Sequence, residues 1–137
     1  MPTVEQFNAI GRGKFPGKLG VVVSHADRSA IRAELPIDES LMAPNGFLHA
    51  GTVVTLADTC CGYGTVRSLP KGAVGFTTIE LKSNFFGSAR EGTIVCVARP
   101  LHQGRTTQVW DATVTPEGAA KPIAQFRNTQ MILWPKA

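Results

Sequence analysis

A single carboxylate interrupts the most regular apolar stretch of the chain. Asp58 is the only charged side chain between His49 and Arg67, in a segment whose residues repeat at helical spacing. Burial of an unpartnered carboxylate is costly, so such a group is either hydrogen-bonded for structure or kept as a general base or nucleophile. The residues alone leave both interpretations open for Asp58.

The start of the same segment offers complementary chemistry. Free backbone N–H groups at a helix N-terminus, assisted by the helix dipole, stabilise an anion or a developing oxyanion. Gly51 and Gly62 keep one helix face uncrowded, although each glycine costs a helix about 1 kcal/mol relative to alanine. A carbonyl bound at the helix start would lie near the Asp58 of the same chain or of an adjoining subunit. This combination is typical of acyl transfer.

Helical spacing divides the segment into two faces. The small and polar face comprises Gly51, Thr55, Asp58, Gly62 and Thr65. The apolar face comprises Val53, Leu56, Ala57, Cys60 and Tyr63. We therefore expect the second face to pack on a core and the first to stay open.

The remaining patterns predict the elements that position this helix. We expect a short amphipathic helix over 3–11, a loop over 11–18, two strands within 19–37, a loop over 38–47 and the long helix over 50–68. Four strands follow in succession, over 74–86, 92–101, 106–115 and 122–134. Strands around one long helix indicate an α+β class, with an antiparallel sheet wrapped around the central helix in a single domain over 1–137.

Composition excludes several other classes of protein. Of the 137 residues, 43% are hydrophobic and 18% charged, and the net charge of +4 comes from scattered basic residues, which argues against a nucleic-acid partner. No apolar run approaches the roughly 20 residues of a membrane span, and the start lacks the pattern of a secretory signal, so we expect a cytoplasmic protein.

The cysteines and histidines do not have the spacing of a metal or disulfide site. The three cysteines are odd in number, and a disulfide between the adjacent Cys60 and Cys61 would be strained, so a disulfide scaffold is not expected and Cys60 and Cys61 are predicted to be buried core residues. The three histidines are far apart, without any ligand spacing typical of zinc. We therefore predict no metal.

The motif N-G-x-x-H-A-G-x-x-x-x-x-A-D over 45–58, followed by T-T-I-E-L-K-S-N-F-F over 77–86, resembles the hotdog-fold acyl-CoA thioesterases. Within them it is most similar to the phenylacetate-degradation type. The resemblance covers residues from about 20 to 134. It implies hydrolysis of an acyl-CoA, with coenzyme A as part of the substrate, without a cofactor. It also implies a homo-oligomer, either a dimer or a dimer of dimers, that is, a homotetramer.

The same resemblance assigns roles to several residues. Asp58 becomes the catalytic carboxylate, which attacks the thioester or activates water. The oxyanion donor becomes the N–H of Ala50, where relatives usually have glycine, or that of Gly51. His49 matches the family histidine, as a direct participant or as a contact that caps the helix. Thr78 falls near a hydroxyl residue that orients water in some relatives.

The chain also departs from the family pattern. Relatives commonly have Gln or Asn six residues before the histidine, a position that Ala43 occupies here. Asn45 is the candidate replacement, although Pro-Asn-Gly is also a strong turn sequence. For the CoA phosphates, Lys82 and Arg90 are the preferred candidates, with Arg99 and Arg105 as alternatives.

Two rival functions follow from the same residues. Because Ala43 replaces an expected amide, the chain could bind acyl-CoA without hydrolysing it. A hydratase acting on enoyl thioesters would require an aspartate in a D-x-N-x-x-H motif ahead of His49, and that motif is missing.

Overall fold

The computed structural model describes residues 1–137. Its helices are α1 (Val4–Gly11), α2 (Phe15–Leu19) and α3 (Ala50–Arg67), with a 3-10 turn at Glu39–Leu41. Its strands are β1 (Val22–Ala26), β2 (Ile31–Pro36), β3 (Gly75–Phe85), β4 (Thr93–Gln103), β5 (Thr107–Pro116) and β6 (Ala124–Leu133).

The six strands form one antiparallel sheet in the order β1-β2-β4-β5-β6-β3. Helix α3 packs across the inner face of this sheet, against every strand from β2 to β6. The predicted α+β architecture, an antiparallel sheet wrapped around one long helix, is therefore confirmed. No helix is long and apolar enough to cross a membrane.

One edge strand of the sheet is covered by another element of the chain and the other edge strand is not. At β1, the Asn8 side chain from α1 accepts a hydrogen bond from the Val23 N–H at 2.8 Å and donates one to the Val23 carbonyl at 3.0 Å. At the other edge, β3 is paired only with β6. Helix α1 is itself held to the core by Phe7, whose ring stacks on Tyr63 at a centroid distance of 4.5 Å. One edge is therefore covered and the other is open.

The closest approach between helix and sheet occurs at Gly64. A Cβ built there would overlap the Trp110 ring of β5, so glycine is what allows the two elements to meet. Trp110 is buried, and its indole N–H donates to the Gln108 side chain at 2.8 Å. Full burial of side chains of this kind contributes about 1.5–3 kcal/mol each, which explains how α3 is held in the curve of the sheet.

Two details of the sequence prediction are wrong. Residues 15–18 were expected in a loop and Leu19 at the start of a strand, but all five form α2, because Pro16 is suited to a first helical turn and Gly20, at φ 104°, ends the helix. Thr65 was expected on the open face of α3 but is fully buried. Its hydroxyl donates to the Cys61 carbonyl at 2.9 Å, so the polar group can be buried without an external partner.

The cysteine prediction is confirmed. Cys60, Cys61 and Cys96 are all free and buried. Burial raises the pKa of the Cys61 thiol well above its ordinary value, which keeps the sulfur protonated and unreactive.

Candidate active site

The N-terminus of α3 is capped by the histidine that precedes it. His49 Nδ1 accepts a hydrogen bond from the Gly51 N–H at 2.8 Å. An accepting Nδ1 requires the neutral tautomer with its proton on Nε2. A Cβ at residue 51 would lie 2.9 Å from that nitrogen, so the cap also explains the glycine.

This cap determines which backbone amide is free. The N–H groups of Thr52 and Val53 donate to the His49 carbonyl, and the Gly51 N–H is taken by the imidazole. Only the Ala50 N–H in this first turn has no acceptor within the chain. Because Ala50 is also exposed, its amide is available to a ligand at the positive end of the helix dipole. Of the two candidate oxyanion donors, Ala50 and Gly51, the geometry favours Ala50.

Asp58 lies two turns further along, on the open face of α3. It is half-buried, and its Oδ1 accepts a hydrogen bond from Asn128 Nδ2 at 3.1 Å. Its Oδ2 accepts no hydrogen bond within the chain. Burial raises the pKa of Asp58 above its ordinary value of 3.8, and the Asn128 hydrogen bond opposes that rise. The carboxylate is thus held by one oxygen and free at the other.

The distance between these two groups limits how they can cooperate. Asp58 is eight residues after Ala50, which in an α-helix is about 12 Å along the axis and about 80° around it. An oxygen that attacks a carbonyl must approach its carbon to about 3–3.5 Å. If that carbonyl is bound to the Ala50 N–H, the Asp58 carboxylate of the same helix is too far away to reach the attacking oxygen. One chain therefore does not bring its own Ala50 and Asp58 to one carbonyl.

An apolar cavity of about 340 Å³ opens beside the free amide. Its lining includes Phe47, Leu48, Ala50, Val53, Phe85 and Ile123. The Arg90 guanidinium carbon lies 5.2 Å from the centroid of the Phe47 ring, within the range of a cation–π contact. The start of α3 therefore combines a hydrogen-bond donor, an apolar cavity and a cation at its margin.

The other predicted residues lie away from this cluster. Asn45 is exposed in the preceding turn, where its Oδ1 accepts the Phe47 N–H at 3.2 Å. Thr78 is on β3, and its hydroxyl donates to Gln130 Oε1 at 2.6 Å. Lys82 is opposite Arg127 in the strand register, on the sheet face that points away from α3. The structure thus brings Arg90 to the helix start, but not Lys82.

Sequence reasoning missed the polar residues that face the helix from the sheet. Asn128 and Gln130 are fully buried on the inner face of β6, between Phe126 and Ile132. Asn128 is the residue that contacts Asp58. The alternation of β6 was the available signal, because polar side chains at its apolar positions need a reason to be there.

The antiparallel sheet wrapped around one long helix is the hotdog fold, which this chain shares with solved thioesterase structures. Residues 45–123 match the model of the thioesterase superfamily, more than half of the chain and all of the motif that begins at Asn45. The chain belongs to this superfamily and is a thioester hydrolase.

Three relatives illustrate the match. The chain is 33% identical over 117 residues to the 1,4-dihydroxy-2-naphthoyl-CoA hydrolase of Escherichia coli K12, covering 84% of each protein. It is 30% identical over 133 residues to the proofreading thioesterase EntH of Cronobacter sakazakii, covering 95% of this chain and 94% of that protein. The crystal structure of a glutamine-to-alanine mutant of thioesterase PA1618 from Pseudomonas aeruginosa superposes with a TM-score of 0.91 at 29% identity, covering 97% and 95% of the two chains.

Proposed function

We propose that the protein is an acyl-CoA thioesterase in which Asp58 is the catalytic carboxylate and the Ala50 N–H stabilises the oxyanion. The observation that carries this proposal is the pairing of a free amide at the helix start with a carboxylate that keeps one oxygen unpartnered. The Ala50 N–H can stabilise the negative charge that develops on a carbonyl oxygen. The Asp58 carboxylate can activate water or attack the thioester carbon directly.

The spacing of Ala50 and Asp58 favours a site shared by two copies of the chain. Strand β3 is the open edge of the sheet and exposes Ile79, Leu81 and Phe85. An exposed apolar edge strand is a surface that proteins cover, and pairing with a second copy would cover it. In such a dimer, or a tetramer built from two dimers, Ala50 of one subunit would serve with Asp58 of the other.

The reaction can follow either of two routes. In the first, Asp58 removes a proton from water while the water oxygen attacks the thioester carbon. In the second, a carboxylate oxygen attacks directly and forms a mixed anhydride, which water then hydrolyses. In both routes the carbonyl electron pair moves onto the oxygen held by the Ala50 N–H, and collapse breaks the C–S bond. The leaving thiolate takes up a proton, so the products are the free acid and coenzyme A.

The surroundings of the amide indicate where the substrate lies. We assign the acyl group to the cavity beside Ala50, whose two phenyl rings, Phe47 and Phe85, suit an aromatic or other flat apolar group. The named substrate of the Escherichia coli relative, a naphthoyl-CoA, is of this kind. Arg90 is the better candidate for a CoA phosphate because it lies at the cavity margin. His49, through its Nε2–H, is a second donor near the carbonyl, and Asn45 shapes the turn before it.

A panel of acyl-CoA esters tests the proposal directly. Purified protein is mixed with each ester and the release of free thiol is followed, for the native chain, Asp58→Asn and Asp111→Asn. We expect Asp58→Asn to lower kcat by about 10²–10⁴. Asp111→Asn is the matched control, because that carboxylate is on the outer face of the sheet, paired with Arg127. Full hydrolysis by Asp58→Asn would refute the assignment, and binding of esters without thiol release would instead support a non-catalytic binder.

A mixed oligomer tests whether the site is shared. Asp58→Asn and Ala50→Pro subunits are each inactive alone if both groups act. If the groups come from different subunits, each mixed dimer contains one intact site, and random mixing restores about a quarter of native activity. If one subunit supplied both groups, mixing would restore none.

A further inference from the structure

We propose that Asn128 is the positioning residue of the catalytic carboxylate. Its side-chain amide holds Asp58 Oδ1 and thereby leaves Oδ2 directed to water or substrate. This inference rests on the proposed function, because it names a residue that acts through Asp58. Asn128 lies outside the family motif at the start of α3, because it is 70 positions away from Asp58 in the chain.

The geometry makes Asn128 a rigid support. Its side chain is fully buried, and its backbone is paired with Trp110 of β5 on one side and Leu81 of β3 on the other. A group held between two neighbouring strands has little freedom to move. The 3.1 Å hydrogen bond from its Nδ2 is the one side-chain contact that holds Asp58 against the sheet.

The cost of burying the Asn128 side chain indicates that the hydrogen bond from its Nδ2 to Asp58 has a role. Asn128 Oδ1 is buried and has no hydrogen-bond partner within the chain. Leucine has a similar size and would fill the same place without an unsatisfied oxygen. An asparagine that gains one hydrogen bond and leaves one acceptor unsatisfied is poorly suited to packing alone. It is well suited to holding a carboxylate.

No charged group competes with Asn128 for Asp58 from the surrounding elements. The strand residues paired with Asn128 are Leu81 and Trp110, neither of which is charged, and burial raises the pKa of the Cys61 thiol on α3 well above its ordinary value, which keeps it protonated. The charged residues of these strands alternate onto the opposite face: Glu80, Lys82, Asp111 and Arg127. The Asn128 hydrogen bond is therefore what lowers the pKa of Asp58 against the effect of burial.

The test replaces Asn128 by leucine and measures Asp58 in two ways. Carboxyl ¹³C NMR follows the titration of the four aspartates, with Asp58 identified by its loss in Asp58→Asn. Steady-state kinetics with an active ester give kcat and KM separately. In Asn128→Leu we expect the midpoint of the Asp58 titration to rise by about one pH unit, because the charged carboxylate loses a hydrogen bond that stabilises it. We expect kcat to fall about 10–100-fold with little change in KM, because the carboxylate is misplaced.

Gln130→Leu is the matched control. Gln130 is the next inward residue on β6, is equally buried and also has an unpartnered side-chain atom, but it contacts Thr78 instead of Asp58. We expect the Asp58 midpoint to be unchanged in this variant. A shift of equal size in both variants would show a general effect of altering the core and would overturn the proposal.

A second variant, Asn128→Ser, keeps the proposal testable if Asn128→Leu does not fold. Serine keeps a polar group but is too short to reach Asp58, so the same rise of the Asp58 midpoint is expected. An unchanged midpoint, or a shifted midpoint with unchanged kcat, would overturn the positioning role. Failure of the proposed function is recognised separately, because Asp58→Asn would then hydrolyse thioesters at the native rate whatever Asn128 does.

Discussion

Ala50→Pro removes one backbone N–H from the helix start and little else. Ala50 is the first residue of α3, where proline is favoured because the missing N–H has no partner within a helix. The residue before a proline must be extended, and His49 already is, with φ −65° and ψ 133°. Since no protein acceptor loses a hydrogen bond, we expect the free energy of unfolding to change by no more than about 0.5 kcal/mol.

The expected effect on catalysis is much larger. Loss of one oxyanion donor lowers kcat by about 10²–10³, equivalent to about 2.7–4 kcal/mol of transition-state stabilisation. Ala50→Gly is the matched control, because it keeps the N–H and restores the residue that relatives usually have. We expect its kcat to stay within a few-fold of native, despite a cost to the helix of at most about 1 kcal/mol.

Initial rates of thiol release give kcat and KM for both variants, and thermal melts followed by circular dichroism verify the fold. A folded Ala50→Pro protein with native kcat would refute the assignment of the oxyanion donor. A loss confined to KM would mean that the proline ring obstructs the cavity and that the amide does not act on the transition state.

Two further predictions concern Asp58 and Gly64. Because the folded protein binds the Asp58 proton more tightly than the unfolded chain, stability falls as pH rises from about 3.8 through the raised pKa. Asp58→Asn should therefore melt above the native protein at pH 7 and lose that advantage below pH 3.8, whereas native kcat/KM should rise with pH through the same pKa. Gly64→Ala should lower the free energy of unfolding by about 1–3 kcal/mol in urea titrations, because its methyl overlaps Trp110.

The order of elements could be predicted because its signals are local. Helix α3 was expected over 50–68 and extends from Ala50 to Arg67, and all six strands lie within two or three residues of their expected ranges. Periodicity over ten or more residues carries this information. Helix α2 has five residues, too few to show a helical period, so only Pro16 and Gly20 marked it.

The candidate site was less predictable because its hydrogen bonds depend on three-dimensional contacts. The motif identified Ala50 and Gly51 as possible donors, but which amide is free depends on the rotamer of His49. Asn128 was missed because its contact with Asp58 depends on the register of β6 against its neighbours. Register is set by packing across the whole sheet, which no short motif encodes.

The separation of Ala50 and Asp58, in contrast, can be calculated from the sequence alone, although Asp58 of the same chain was one of the two alternatives that we considered from the sequence. Eight residues of helix separate Ala50 from Asp58 by about 12 Å and about 80°, whatever the rest of the chain does. If both groups act on one carbonyl, that spacing excludes a site within a single helix. In the dimer proposed above, a second copy would pair with the open β3 edge, which is exposed while β1 is covered by Asn8. Oligomerisation would then be a condition of catalysis, and activity per subunit should fall on dilution below the dissociation constant of the dimer.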